Sequence, residues 1–385
     1  MGRKRSLNFR HFRHFRHFRH FFMKKHNIIL LLFLIVYNVS FQEESYAGVQ
    51  GNSIYVNTDS VEYPLFNSHD ILELSLTFNW KKMVFDVGDD RSSHDALLTY
   101  FETDGDSVSI HVEIEARGNY RRSRDNCDFP PIRIMFPEDT VTNTLFSGQD
   151  KLKLVTHCVD NRKIFSEYLL REYLAYRIYN LLCDESYKVR LARITYNDSE
   201  GKNKQLTRFA FFIEKTKHLA SRIGGIEIEF SGLVKEITDT ELTLLFSVFQ
   251  YLIGNTDWSI PGLHNVKLIS LPGPKYIPVP YDFDFSGHVG THYAIPDPKI
   301  PIESIFQRLY RGPCVELDTI LSILELFNSK KPEIYSLISD FEYMEKKERE
   351  KILRYYNKFY KTLNNDKKIK REFILNCSET KYIRK

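Results

Sequence analysis

"NRKIFSEYLLREYLAYRIYNLLC" (161–183) decides how the chain divides, because here the apolar spacing changes from alternation to a helical repeat. Phe165, Leu169, Tyr176 and Tyr179 fall on one face of a helix of roughly 20 residues, and Glu172 falls on that same face. An acid in an apolar stripe needs a partner. A lysine on the preceding strand could supply it, and so could a purely structural bridge to Arg190 or Arg208.

Upstream of the helix, from Ser53 to Phe136, the chain reads as strands. "ILELSLTF" (71–78), "VSIHVEIEARG" (108–118) and "PIRIMF" (131–136) alternate or run apolar between turn residues, and "DKLKLVTHC" (150–158) is a further strand. "RGNYRRSRDNCDFPP" (117–131) is a polar, arginine-rich loop between two of them, either a solvated loop or a phosphate clamp. Downstream, "VRLARITYND" (189–198) and "LTRFAFFIE" (206–214) form a hairpin; Glu214 at its end reads as a strand-end surface acid, with a hinge-like residue near a nucleotide's adenine as the alternative.

"TDTELTLLFSVFQYLIGNTDW" (238–258) follows as a helix capped by Thr238 or Asp239 and stopped by Gly254, which leaves Asn255 and Asp257 in the loop just after it. "HNVKLIS" and "KYIPVPYDF" are short strands joined by "LPGP". From Ile302 the pattern is helical to the end, through "IESIFQRLY", "ELDTILSILELF" and "EREKILRYYNKFYKTL".

The first 47 residues stand apart. "FRHFRHFRHFRH" (9–20) cannot build a core, and Met23-Lys24-Lys25, an apolar run from Ile28 to Val39 and the small residues Ser45 and Ala47 have the order of a secretory signal. We therefore expect translation to begin at Met23 and the mature protein near Gly48, with an uncleaved N-terminal anchor as the alternative. The whole chain carries 54 Lys/Arg against 50 Asp/Glu; without residues 1–47 it carries 45 against 48, a net of −3. No basic footprint for nucleic acid remains. All five cysteines lie in the expected exported part, where disulfides persist, and none has zinc spacing. Cys127 with Cys158, and Cys314 with Cys377, are the expected pairs; Cys183 is the odd one.

The chemistry-bearing residues come in a definite order: a lysine on a strand, a helix acid, an Asp and an Asn in a loop after a helix, then "PVPYDFDFSG" (278–287) with Asp282 and Asp284 at a strand end. A phosphoryl-transfer site requires such parts. The lysine binds phosphate, the loop Asp orients the acceptor, and the Asn and strand-end Asp hold magnesium, a hard cation that takes carboxylate, amide, water and phosphate oxygens. Asp282 and Asp284 alone could equally be a polar strand terminus.

"FQYLIGNTDWSIPGLHNVKLI" with "YIPVPYDFDFSG", together with "EARGNYR", "FPPIRIMF" and "DKLKLVTHC", resembles the CotH-type atypical kinases, in particular their exported bacterial relatives, over about residues 110–290. The resemblance implies an α+β, protein-kinase-like two-lobed fold with a sheet-rich N-terminal region (48–115), a kinase-fold domain over 116–385 and a helical segment from about 302. It implies Asp257 as the catalytic-loop Asp, Asn265 and Asp282 as magnesium ligands and Asp284 as the second acid, with Tyr281 where the family pattern has Trp. Lys153, favoured over Lys151 on the same strand face, would contact the nucleotide and pair with Glu172, while Arg117 and Arg133 would meet phosphates. The implied activity is transfer of the γ-phosphoryl of ATP to a protein hydroxyl with Mg2+, in the periplasm or at the cell surface. The alternative is a non-catalytic envelope protein of the same fold that binds a glycan or a partner protein. Membrane contact is expected only through the signal sequence or an N-terminal anchor.

Overall fold

The computed structural model describes residues 63–377 apart from 103–104, 119, 138–139, 230–237 and 274–275. The expected signal segment and the proposed start of the mature chain lie outside the described residues. Seven strands, β1 (Leu72–Phe78), β2 (His94–Phe101), β3 (Ser107–Ala116), β4 (Ile132–Met135), β5 (Lys151–Val155), β6 (Val189–Asp198) and β7 (Leu206–Ile213), close into a barrel in the order β1-β2-β3-β4-β5-β7-β6. Neighbours are antiparallel except at the closure, where β1 runs parallel to β6 with Leu72 opposite Ala192 and Phe78 opposite Asp198. Alternation explains the filling. Leu74, Leu76, Leu98, Ile110, Ile134 and Leu154 point into one apolar core.

Eight α-helices lie among the described residues: α1 (Trp80–Phe85), α2 (Lys163–Asn180), α3 (Thr216–Arg222), α4 (Thr240–Ile253), α5 (Leu317–Ser329), α6 (Lys331–Ser339), α7 (Lys346–Leu363) and α8 (Asp366–Ile369). A second sheet, β10 (Tyr276–Pro280), β9 (Val266–Ser270) and β8 (Ile226–Ile228), is antiparallel throughout. Leu170, Leu174 and Ile178 of α2, Val248 and Leu252 of α4, and Tyr356 of α7 share a core with Leu191 and Phe211 on the outer side of the barrel. Helix α2 is thus held between the barrel and the helices, so a polar group on it has a fixed position.

The expected two-lobed kinase-like fold is corrected by this architecture, a closed seven-stranded mixed barrel accompanied, among the described residues, by eight α-helices, all within one compact unit. The periodicities identified strands but not their partners. β1 finds β6 across more than a hundred residues of sequence, and this pairing removes the sheet edge that an open lobe would leave. A smaller correction falls at "IESIFQRLY". That stretch is irregular, and regular helix resumes only at Leu317.

Cys127–Cys158 and Cys314–Cys377 form disulfides and Cys183 is free, the pairing expected from the sequence. Disulfides fit an oxidising compartment. Among the described residues no helix is long and apolar enough to cross a membrane.

Candidate functional site

One cavity of about 480 Å3 collects seven of the eight residues singled out in the sequence: Arg117, Lys153, Glu172, Asp257, Asn265, Asp282 and Asp284. They come from five separate parts of the chain.

Lys153 faces away from the barrel core because Leu152 and Leu154 alternate into it. Its side chain is open to the cavity but crowded by protein atoms. This crowding, with the neighbouring Arg117 and Lys267 charges, pulls its ammonium down to about 8 against the attraction of Asp282. The ammonium lies 5.7 Å from the centre of the Tyr281 ring. Arg117 is itself pulled down to about 10 by burial and by Arg121, which also lines the cavity. Arg121 Nη2 donates to the carbonyl of Thr156, anchoring the arginine loop to the end of β5.

Glu172 is 4% exposed. Burial, reinforced by the Asp282 carboxylate, pushes its carboxyl up to about 7, while Arg121, Arg117 and a hydrogen bond from the Phe283 N–H oppose the rise. The expected ion pair with Lys153 does not form, and neither Arg190 nor Arg208 substitutes; among the described residues Glu172 has no ion pair within 4 Å. Arg208 is instead paired with Asp160.

The loop after α4 is built from its ends. Asp239 Oδ1 accepts the Leu242 N–H and caps the helix, and Gly254 ends it at φ +66°, where a Cβ would stand 2.0 Å from the Tyr355 hydroxyl. The Asp257 N–H then donates to Asn255 Oδ1 at 3.0 Å. Asn265 Nδ2 donates to the Asp257 carbonyl at 2.8 Å and to its Oδ2 at 3.0 Å, while His264 Nε2 lies 2.8 Å from Oδ1. Asp257 is thus fixed through both carboxylate oxygens, and Asn265 keeps its amide oxygen clear of those bonds. The His264 ring meets a carboxylate, not the backbone partner that a loop histidine ordinarily finds.

Asp282 follows β10 at φ +62° and Asn265 precedes β9 at φ +52°, both in the left-handed region. The Asp282 N–H donates to the Tyr176 hydroxyl on α2 at 2.9 Å, and the Tyr281 N–H donates to the Asn265 carbonyl at 3.1 Å. Because the strand ends at Pro280, Asp282 and Asp284 both line the cavity while Phe283 is buried between them. Burial and the carboxylates of Asp282 and Glu172 hold the Asp284 carboxyl well above the ordinary range, even with Arg121 nearby and a 3.0 Å hydrogen bond from the Tyr293 hydroxyl.

Arg133 is the exception. On β4 it lies opposite Glu115 and is ion-paired with it, outside the cavity. Glu214 is no surface acid: it is 2% exposed, accepts from Arg222 Nε and Nη2 at 3.1 and 3.0 Å, and accepts the Lys188 N–H. Arg121, Tyr176 and Tyr293 are neighbours of these residues that residue order did not single out. Arg121 alone had a signal, its place in the arginine loop.

Three acids beside one another disfavour full ionisation, and a divalent cation would relieve that. Among the described residues no three His, Cys, Asp or Glu side chains are grouped so as to hold a metal by themselves. A cation here would therefore complete its shell with the Asn265 amide, water and oxygens of a bound ligand, as magnesium commonly does. No protein-family model matches the chain, and no curated protein matches it.

Proposed function

We propose that the cavity binds a nucleotide with Mg2+ and transfers its terminal phosphoryl group to a hydroxyl, the activity implied by the resemblance to CotH-type atypical kinases. The reading rests on the site residues and not on a two-lobed architecture. The observation that carries it is the convergence of Lys153, Arg117 and Arg121 with Asp257, Asn265, Asp282 and Asp284 on one cavity. Cations for phosphate oxygens and hard oxygen donors for a divalent ion are the two halves of a phosphoryl-transfer site.

In this reading Lys153, Arg117 and Arg121 hold phosphate oxygens, and Asp282, Asp284 and the Asn265 amide oxygen would hold Mg2+. The ion, when bound, neutralises charge on the phosphates. Asp257, fixed by Asn265 and His264, orients the acceptor hydroxyl and takes its proton as the new P–O bond forms and the bond to the leaving diphosphate breaks. The acceptor would be a protein hydroxyl in an exported setting, at the periplasm or cell surface, consistent with two disulfides.

A second reading, ligand binding without turnover, for example of a glycan or a partner protein, is favoured by one observation. Glu172 neighbours arginines and does not pair with the lysine. Thermal unfolding of the mature chain with ATP and Mg2+ tests the first reading. Ligand at about 100 times its Kd adds about 2.7 kcal/mol of stability, and Asp282→Ala should abolish the added stability. No shift in the wild type refutes nucleotide binding; a shift without phosphate incorporation into any hydroxyl favours the second reading.

A further inference from the structure

The arginine loop is held at two depths. At its base the Arg117 N–H donates to the Pro131 carbonyl at 2.8 Å, extending the β3–β4 ladder by one rung, so the sheet itself places Arg117. Beyond that rung nothing periodic fixes the chain. Tyr120 and Arg121, which line the main cavity, belong to irregular turns closed by the loop's own bonds: Asn126 Nδ2 to the Tyr120 carbonyl at 2.8 Å, and the Cys127 N–H to the Ser123 carbonyl at 3.0 Å. The outward contacts are weak. Arg122 pairs with the exposed Asp89, and the Arg124 guanidinium lies over the exposed Phe85 ring.

The Cys127–Cys158 disulfide joins these turns covalently to the chain just beyond β5, the strand that carries Lys153. Both cysteines are buried. Cys158 has φ +67°, a conformation that favours glycine or asparagine, so the cysteine is held there against its backbone preference. Three hydrogen bonds surround the cross-link: the Phe129 N–H to the Cys158 carbonyl at 3.0 Å, Thr156 Oγ1 to the Pro130 carbonyl at 3.0 Å, and Arg121 Nη2 to the Thr156 carbonyl. On the loop's other side the Tyr120 ring centre lies 5.6 Å from that of Tyr293, whose hydroxyl donates to Asp284.

We propose that the Cys127–Cys158 disulfide is a positioning element of the main cavity, holding Arg121 beside Lys153 where the phosphates of a bound nucleotide lie. A loop fixed before binding loses less conformational freedom when its ligand arrives, so the bond acts through affinity. The inference rests on the phosphotransferase reading for the identity of that ligand. Cys314–Cys377 is the internal comparison, because neither of its cysteines lines the cavity or lies in the loop.

Calorimetric titration of the mature chain with ATP and Mg2+ tests it. Cys127→Ser/Cys158→Ser should bind roughly ten-fold more weakly, about the worth of one charge-assisted hydrogen bond, and so should Arg121→Met. Combining the three substitutions should add little, since the bond acts through that arginine. Cys314→Ser/Cys377→Ser should lower Tm yet keep the wild-type affinity. In the nucleotide-free protein, hydrogen exchange should show residues 120–127 losing protection without Cys127–Cys158 while the β5 ladder keeps its own. Unchanged affinity in the folded Cys127→Ser/Cys158→Ser protein overturns the proposal, as does a fully additive loss with Arg121→Met or an equal loss from both disulfide pairs. If the wild type binds no nucleotide, the phosphotransferase reading fails and hydrogen exchange decides alone: loss of protection confined to the loop supports the positioning role, and unaltered protection refutes it. Should the serine variant fail to fold, Cys127→Ala/Cys158→Gly, which suits the left-handed φ, takes its place; if that too fails to fold, the bond is a staple of the whole fold and the proposal is overturned.

Discussion

Glu172→Gln turns the electrostatics of the main cavity into a measurable slope. The Glu172 carboxyl is raised from its ordinary 4.5 to about 7, so the folded protein favours the protonated acid more than the unfolded chain does. Between those two values the unfolded chain gives up its proton first. Wild-type stability therefore falls as the pH rises through the window, and this group contributes no further loss above it. At about 1.4 kcal/mol per unit the loss comes to about 3 kcal/mol. Glutamine does not titrate, so the stability of the variant relative to wild type should grow by that amount between the low end of the window and about pH 8. Asp284 acts in the same direction, because part of its own elevation comes from the Glu172 charge that the variant lacks. Urea unfolding at stepped pH without metal or nucleotide, followed by tryptophan fluorescence, measures the difference. If the gap between the two proteins stays flat or closes as pH rises, Arg117 and Arg121 outweigh burial, and Glu172 is an ordinary paired carboxylate.

Lys153 gives a prediction of opposite sign. With its ammonium at about 8 in the free cavity, a bound phosphate should raise that value and draw in a proton near pH 8, seen as a buffer-dependent binding enthalpy; Lys153→Met should lose the uptake. Gly254→Ala should destabilise the protein by at least about 1–2 kcal/mol in thermal or urea unfolding, since φ is left-handed there and the new methyl group meets Tyr355.

Much of the site was legible because the chemistry lies in residue order. Asn255, Asp257, Asn265 and Asp282 follow a helix stop and precede or end short strands, and the structure brings Asp257, Asn265 and Asp282 to the cavity as that order suggests. The losses came where register decides. Arg133 has the right charge and the right strand, yet β4 sets it opposite Glu115, and that ion pair holds it outside the cavity. The ion pair of Lys153 with Glu172 failed for a related reason: the arginine loop, whose path no periodicity specifies, brings Arg117 and Arg121 to Glu172. The strands β2 and β8 and the helices α1 and α3 passed unread, being short or weakly patterned. Closure of the barrel was illegible in principle from local pattern, because the parallel pairing of β1 with β6 is decided only when both strands exist.

Backbone conformation bears on whether Asp282 and Asn265 serve only as turn residues. A turn that needed nothing but left-handed φ would favour glycine, which adopts it without the 1–2 kcal/mol or so that an L side chain costs there. This chain uses glycine for that purpose at Gly254, eleven residues before Asn265, and at Gly290, eight residues after Asp282. At the two positions whose side chains enter the cavity it carries Asn and Asp instead, and it holds them with bonds from elsewhere: Tyr281 N–H to the Asn265 carbonyl, and the Asp282 N–H to Tyr176 on α2. Asn and Asp tolerate this conformation better than other side chains, but their presence at both sites adds an amide oxygen and a carboxylate beside Lys153 that glycine would not supply. Strain that the surrounding fold maintains, at residues bearing the ligands a phosphate-bound cation requires, is the pattern of a preorganised site.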